Sequence, residues 1–433
     1  MTRFRLAVAA LCVTALAVAA AGTASQTKTT KTTKNEAVSG NLSIIGIWTG
    51  PEQKRFQAVL NGFMKLYPNV KVKYTSGGDN TPTILSTAIQ GGKPPDLASV
   101  GQPGLLRDFA NRGVLKSIAF ARATAVKNYT PSWITLGTVK GKLYGLFFKA
   151  ANKSTIWYST AAFKTAGVKP PATWPQLLAA ANTIKASGTP AFSIGGADGW
   201  TLTDLFENIY IRQAGPARYD QLTAHTIPWT HPTVKAALRT MATVFASANM
   251  YGGTDGALQT DFPTSVNNVW AKPPKAAMVI EADFVPGVAT TAAKGITDYN
   301  VFKFPSIGGS PPSVVGGGDV VLMFKDSAAS RALVTYLAGR AAATIAAKYA
   351  PGFSSPNKNV PASAYADPLN RVTAIALSHA KTFRFDLSDL APSAFGGTVG
   401  QGEFKLFQDF LKTPSDIDGI AAQLEAAAKA AYK

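Results

Sequence analysis

Between Leu42 and Ser76 the chain reads strand, helix, strand with very short connections, and this stretch constrains the fold more than any other. "LSIIGIW" (Leu42–Trp48) is a short apolar run interrupted by "TGP". Glu52–Tyr67 places Phe56, Val59, Leu60, Phe63 and Met64 on one helical face. "YPN" ends that helix, and "VKVKYTS" alternates with the period of a half-buried strand. Such a βαβ unit belongs to an α/β domain.

The pattern recurs. "DLASV" reads as a strand, Gly104–Asn111 as a helix and "GKLYGLFF" as an extended pair. A second α/β region starts at "STIWYS", followed by the helix "TWPQLLAAANTIKASG" with Thr173 as N-cap, Pro175 in its first turn and Gly188 as C-cap. "AFSIGG", "AAMVIE" and "SVVGGGDVVLMF" read as strands, Thr233–Ala248 and Asp326–Leu337 as helices, and a terminal helix begins near Ser415. At 433 residues and 46% hydrophobic the chain exceeds one core and suits two or three domains.

Residues 1–24 are read as a cleaved export signal: a basic "MTRFR", an apolar run Leu6–Ala21 and small residues near Ala24. Cys12, the single cysteine, lies inside that run behind Leu11 and far from its end, which argues against lipidation. The mature chain therefore has no disulfide, no cysteine-held metal and no thiol nucleophile. Residues 25–40, "SQTKTTKTTKNEAVSG", form a polar tether expected to be disordered. The formal charge of +19 is spread over singly placed Lys and Arg, without a basic run interleaved with aromatics, so no nucleic-acid partner is expected.

Histidine is scarce. His225, His231 and His379 lie far apart without metal-ligand spacing and read as surface or capping residues, and no metal or cofactor is expected. There is no GxSxG elbow, Walker loop or GxGxxG after a strand. Asp198, Asp204, Glu207, Asp283 and Glu281 are candidates for a glycosidase pair. Asp204 and Glu207, early in a helix, are read more simply as favourable charge near its positive end.

"GGADGWTLTDLFENIY" (Gly195–Tyr210) brings a carboxylate and a large aromatic together. Leu202, Leu205, Phe206, Ile209 and Tyr210 form the buried face of a helix, while Trp200 stands in the turn before it beside Asp198.

The order of segments resembles the extracellular carbohydrate-binding proteins of ABC importers, the maltose-binding-protein-like class. "GGKPPDLASVGQPGLLRDFANRGVLKSI" looks like the family's Pro-Asp segment with its following helix. "KGKLYGLFFKAANKSTIWYSTAAFKTAGVKPPATWPQLLAAA" looks like its G-x-x-Y-G strand, its passage into the second lobe and its T-W helix start, and "KPPKAAMVIEADFVPGV" like its return strand. Phe147-Phe148 and Asp283-Phe284 depart from the family's usual residues. The resemblance implies two Rossmann-like lobes joined by a hinge of crossing strands (periplasmic-binding-protein type II), residues 41–150 plus 283–325 as lobe 1 and 151–282 plus 326–433 as lobe 2. It implies a monomer that presents a carbohydrate, a di- or oligosaccharide such as an α-glucoside, to permease subunits outside the cytoplasmic membrane or in the periplasm.

Sugar presents an apolar C–H face and a rim of hydroxyls. Trp200 and Asp198 supply a platform and an acceptor from the second lobe. From the first, Trp48, Thr49 and Gly50 end a strand where α/β sheets bind ligands, Glu52 follows at the helix start, and Gln102 follows the Pro-Asp strand in the same way. Asp283 and Phe284 follow the return strand, and the glycine run with Gly317 and Asp319 brings backbone close to a ligand. Asp96 is read as structural, and Trp157 and Trp174 as core. The rival readings are a receptor for an anion or polyamine and a secreted glycoside hydrolase.

Overall fold

The computed structural model describes residues 34–245, 247–292, 298–349 and 351–432. The expected export signal and residues 25–33 of the tether lie outside them. From Lys34 onward the segment is tied down, in contrast to the disorder expected to residue 40. Asn35 N donates to Leu66 O at 2.7 Å, Asn69 Nδ2 donates to Glu36 O at 2.8 Å, and Val38 packs on the core below.

The strands are β1 (Gly40–Gly46), β2 (Val70–Ser76), β3 (Leu97–Val100), β4 (Thr138–Val139), β5 (Lys142–Leu143), β6 (Gly145–Asn152), β7 (Thr155–Tyr158), β8 (Met278–Ile280), β9 (Asn300–Lys303), β10 (Val314–Met323) and β11 (Phe383–Phe385). One sheet runs β11-β10-β3-β1-β2, with β6 also on β10. β1 is parallel to β2 and β3, whereas β10 runs antiparallel to β3 and β6. The second sheet is β8-β7-β9, antiparallel throughout, and β4-β5 is a small hairpin ribbon.

Each sheet is covered by its own apolar groups. On the first, the helix Gly50–Leu66 seats Phe56, Val59, Leu60 and Phe63 against Leu333, Leu337 and Ala346, while Leu106, Phe109, Phe147 and Leu322 fill the other face. On the second, period-two alternation divides β7: Ile156 and Tyr158 join Leu177, Leu202, Phe206 and Leu424, and Trp157 joins Val266, Val279 and Val285 behind. The buried positions of Trp157 and Trp174 agree with the core reading. Gln176 Oε1 accepts from Thr173 N at 3.2 Å, as a helix starting after Thr173 requires.

The chain passes between the two lobes at Asn152–Thr155, between Lys303 and Val314, and between Phe385 and Leu387. Two boundaries differ from the sequence reading. Asn300–Lys303 pairs with β7 and so lies in lobe 2, not lobe 1. The helices Ala328–Leu337 and Arg340–Tyr349 bury Leu333, Leu337 and Ala346 on lobe 1, not lobe 2, because their apolar stripes match the helix Gly50–Leu66. "AFSIGG" forms no strand; Phe192 makes only isolated bridges to Met250 and Met278. The expected helix at Thr233 spans Pro232–Ala242.

Candidate ligand-binding cleft

The turn after β1 carries Thr49 and Gly50, both exposed, into the helix Gly50–Leu66. Gly50 has φ +47°, a conformation that glycine adopts at low cost. Trp48 turns inward. It is 3% exposed, with its ring 4.5 Å from that of Phe56 and 6.0 Å from that of Phe148. Its indole N–H donates to Asp319 Oδ2 at 2.6 Å. Trp48, expected among the ligand residues at the end of its strand, instead has its ring packed by aromatic neighbours on the helix and on β6.

Lys149, near the end of β6, sits 2.6 Å from Glu52 and 3.5 Å from Asp319. Burial opposes its charge, but Asp319 and Glu52 outweigh it and hold the lysine above its ordinary range. Burial raises Asp319 in turn, and Lys149 works against that rise.

Across the cleft, Trp200 is the first residue of the helix Trp200–Thr223, behind Gly199 at φ +79°. A side chain at Gly199 would run into the Phe404 backbone. The half-buried indole meets Phe262 at 5.2 Å and Phe284 at 6.1 Å, and those two rings lie 5.2 Å apart edge to face. Lys149 Nζ stands 4.6 Å over Phe284, and Lys153 Nζ 5.7 Å over Trp200. Trp200 Nε1 donates to Asp79 Oδ2 at 3.4 Å, joining lobe 2 to the turn after β2. Asp198 accepts from Phe262 N at 2.6 Å; burial pushes it up to about 7, with the fields of Asp79 and Asp261 adding.

The floor is a buried charge cluster. Lys153, in the first crossing, lies 2.6 Å from Asp386, 2.9 Å from Asp204 and 3.7 Å from Asp389. Burial works against ionised Asp386, but Lys153 and the hydrogen bonds around it hold it down at about 2, while burial drives Asp204 and Asp389 well up. Glu207 accepts from Leu387 N at 2.7 Å and Ser388 N at 3.0 Å, and also from the Tyr219 hydroxyl. Asp204 and Glu207 thus do more than balance a helix end: they fix the third crossing to lobe 2. Burial raises Glu281 to about 8, and its Oε1 has no hydrogen-bond partner among the described residues.

Of the residues singled out from the sequence, the structure groups Asp198, Trp200 and Phe284 on one wall and Glu52 and Asp319 on the other. Asp283 is not with them. It is 1% exposed, accepts from Ser354 Oγ at 2.6 Å, and is raised to about 6 by burial. Gln102 precedes the helix Pro103–Asn111, and its buried Oε1 has no partner among the described residues. The glycine run is part of β10, where a Cβ at Gly317 would press on Lys153 and one at Gly318 on the Lys149 carbonyl and Trp133. Its small residues serve strand packing at the crossing, a correction to the reading of open backbone.

Sequence reasoning passed over Asp79, Phe262, Lys149, Lys153 and Asp386. Asp79 was accessible to the rule already applied to Thr49 and Gln102, since it too follows the carboxyl end of a parallel strand. Nothing in the local sequence signals that the two lysines are buried. Among the described residues no group of His, Cys, Asp and Glu is placed to hold a metal ion, and no helix is long and apolar enough to cross a membrane. His231 caps its helix toward Thr233 N at 3.3 Å, and His225 Nε2 lies 3.2 Å from Glu425.

Residues 48–344 match the family described as bacterial extracellular solute-binding protein. The chain is 32% identical over 377 residues, 84% of its length and 86% of the relative's, to the osmoprotective compounds-binding protein GgtB of Synechocystis sp.. It is 31% identical over 406 residues, 89% of its length and 86% of the relative's, to the alpha-glucosides-binding periplasmic protein AglE of Rhizobium meliloti. Its fold is similar to that of the bacterial solute receptor AcbH, with TM-score 0.81 and 18% identity, covering 92% of this chain and 100% of the receptor. The extent of these matches shows that the chain belongs to the bacterial extracellular solute-binding proteins.

Proposed function

We propose that the protein is the extracytoplasmic receptor of an ABC importer, closing its lobes on a di- or oligosaccharide and delivering it to the permease. The observation that carries this reading is the wall formed by Trp200, Phe262 and Phe284, faced from lobe 1 by Asp79 and Glu52. Aromatic rings cover the C–H face of a pyranose, and carboxylates accept from its hydroxyls. Ligand contacts made in both lobes favour the closed state over the open one.

The names of the two relatives support α-glucosides and small osmoprotective compounds as the solutes to test first. Trp200, Asp198, Asp79, Glu52, Phe262 and Phe284 are the residues assigned to the ligand. Thr49 and Gly50, exposed at the rim, supply backbone contacts. No reaction on the sugar is assigned; of the carboxylates considered for a glycosidase pair, Asp204 is committed to Lys153 and Glu207 to two backbone N–H groups.

The test is a thermal-shift screen of residues 25–433 against mono-, di- and oligosaccharides, with anions and polyamines alongside. A ligand at about a hundred times its Kd stabilises the native state by roughly 2.7 kcal/mol. A shift with one sugar class supports the proposal. A response to an anion or a polyamine alone replaces the solute, and turnover of a glycoside replaces the function.

A further inference from the structure

The chain is basic, and its charge is concentrated by the absence of carboxylates from two long segments. Residues 109–197 contain 11 Lys and Arg and no Asp or Glu; residues 327–366 contain four and again no Asp or Glu. The fold brings these segments together on lobe 1, at the helix Arg122–Asn128 and the start of the helix Arg340–Tyr349. Asn128 Nδ2 donates to Ala338 O at 3.1 Å, Lys358 N to Asn128 O at 2.8 Å, and Asn359 Nδ2 to Lys127 O at 3.1 Å.

A hollow of about 690 Å³ opens between them, lined by Ala123, Thr124, Lys127, Asn128, Arg340 and Asn359. Its charged residues are all cations. Arg122, Lys127, Arg340 and Lys358 are exposed, and none makes an ion pair with the described residues, in contrast to Lys149 and Lys153 in the cleft. Leaving Lys127 and Arg340 at one hollow with no carboxylate in its lining costs self-repulsion, which an external polyanion removes.

Apolar exposure distinguishes between polyanions. Val126, on the same short helix as Lys127, is 53% exposed. A soluble polyanion engages only the cations. A lipid surface takes up both the cations and the apolar side chain next to Lys127.

We propose that this face of lobe 1 docks on anionic phospholipid headgroups, with Lys127 and Arg340 gripping a phosphate at the hollow. Docking holds the receptor at the membrane surface through a site separate from the ligand cleft. The proposal does not depend on the identity of the solute.

Co-sedimentation with phosphatidylglycerol-containing vesicles tests it, with pure phosphatidylcholine vesicles as the reference. Three full-length proteins are compared: the unaltered chain, the double variant Lys127→Glu/Arg340→Glu, and Lys164→Glu/Lys185→Glu on lobe 2, which makes the same change in net charge. The unaltered chain is expected to bind only the anionic vesicles and to be released at high salt. The lobe 1 variant loses affinity by at least about tenfold, whereas the lobe 2 variant loses much less. Thermal melting and the thermal shift with sugar establish that both variants are folded.

Equal losses in the two variants would mean that net charge alone acts, and would overturn the proposal. So would the absence of any preference for phosphatidylglycerol, or binding of soluble polyphosphate by a chain that ignores the vesicles.

Discussion

The indole Nε1 of Trp200 donates to Oδ2 of Asp79 at 3.4 Å, across the cleft and across 121 positions of sequence. A single aromatic residue at a helix start therefore touches the opposite lobe, packs on Phe262 and Phe284, and lies under the ammonium of Lys153. Trp200→Ala is expected to weaken ligand binding by about 2 kcal/mol, some tens-fold in Kd, with little change in thermal stability because the ring is only half buried. Titration calorimetry with the solute identified by screening checks this; an unchanged Kd removes Trp200 from the site.

Lys153 balances three carboxylates at the hinge. Lys153→Met keeps the bulk of the side chain and leaves Asp204, Asp386 and Asp389 without their cation. Removing one partner of a buried ion cluster costs about 3–5 kcal/mol. The variant's deficit against the unaltered protein should shrink as pH falls and the carboxylates protonate. Thermal melts of both proteins at neutral and acidic pH are the measurement, and a deficit independent of pH would separate the loss from charge.

Asp198 titrates near 7 instead of in the ordinary carboxylate range, chiefly through burial. A carboxyl whose folded-state pKa is raised contributes stability that is present at acid pH, below its unfolded value, and lost as pH rises through the folded value. Asp198→Asn keeps an acceptor for Phe262 N and cannot ionise. Relative to the unaltered chain it should gain about 1 kcal/mol in stability between pH 5 and pH 8, less than an unscreened shift of this size implies. Chemical denaturation at the two pH values reads the difference; no relative gain at pH 8 would place the Asp198 carboxyl in the ordinary range.

At Gly318 an added Cβ would lie 2.8 Å from the Lys149 carbonyl and 3.0 Å from the Trp133 ring. The carbonyl belongs to the paired strand and has little freedom to move. Gly318→Ala is expected to destabilise by about 1–3 kcal/mol, as overpacking does. At Gly317 the nearest atom, at 2.8 Å, is the side-chain Cε of Lys153, a stem atom that can shift while the ammonium keeps its partners. Gly317→Ala should therefore cost less stability than Gly318→Ala. Equal costs at the two positions would contradict this account of the glycine run.

Much of the local architecture is legible in the sequence. The helix Gly50–Leu66 was marked by its apolar period, strand β2 by alternation and the helix Trp174–Ala186 by its caps, signals that depend on near neighbours alone. "AFSIGG" misled because an apolar run reads the same whether or not a strand partner lies alongside, and Phe192 meets Met250 and Met278 only at single bridges. Lobe membership after residue 300 was equally hidden: an apolar stripe shows that a helix is buried, but not against which sheet.

The candidate site divides in the same way. By itself the sequence determined that the chain would form α/β units and that Trp200 and Asp198 would lie side by side at a helix start, because composition and short-range spacing decide those things. Only the tertiary structure decided that Trp48 and Asp283 turn inward, that Asp79 faces Trp200, and that Lys149 and Lys153 are buried among carboxylates. Each of these depends on groups far apart in the chain meeting where little water remains, and a buried charge is tolerated only if its partners arrive. Those partners come from other strands and crossings, and no local pattern in the sequence records which they will be.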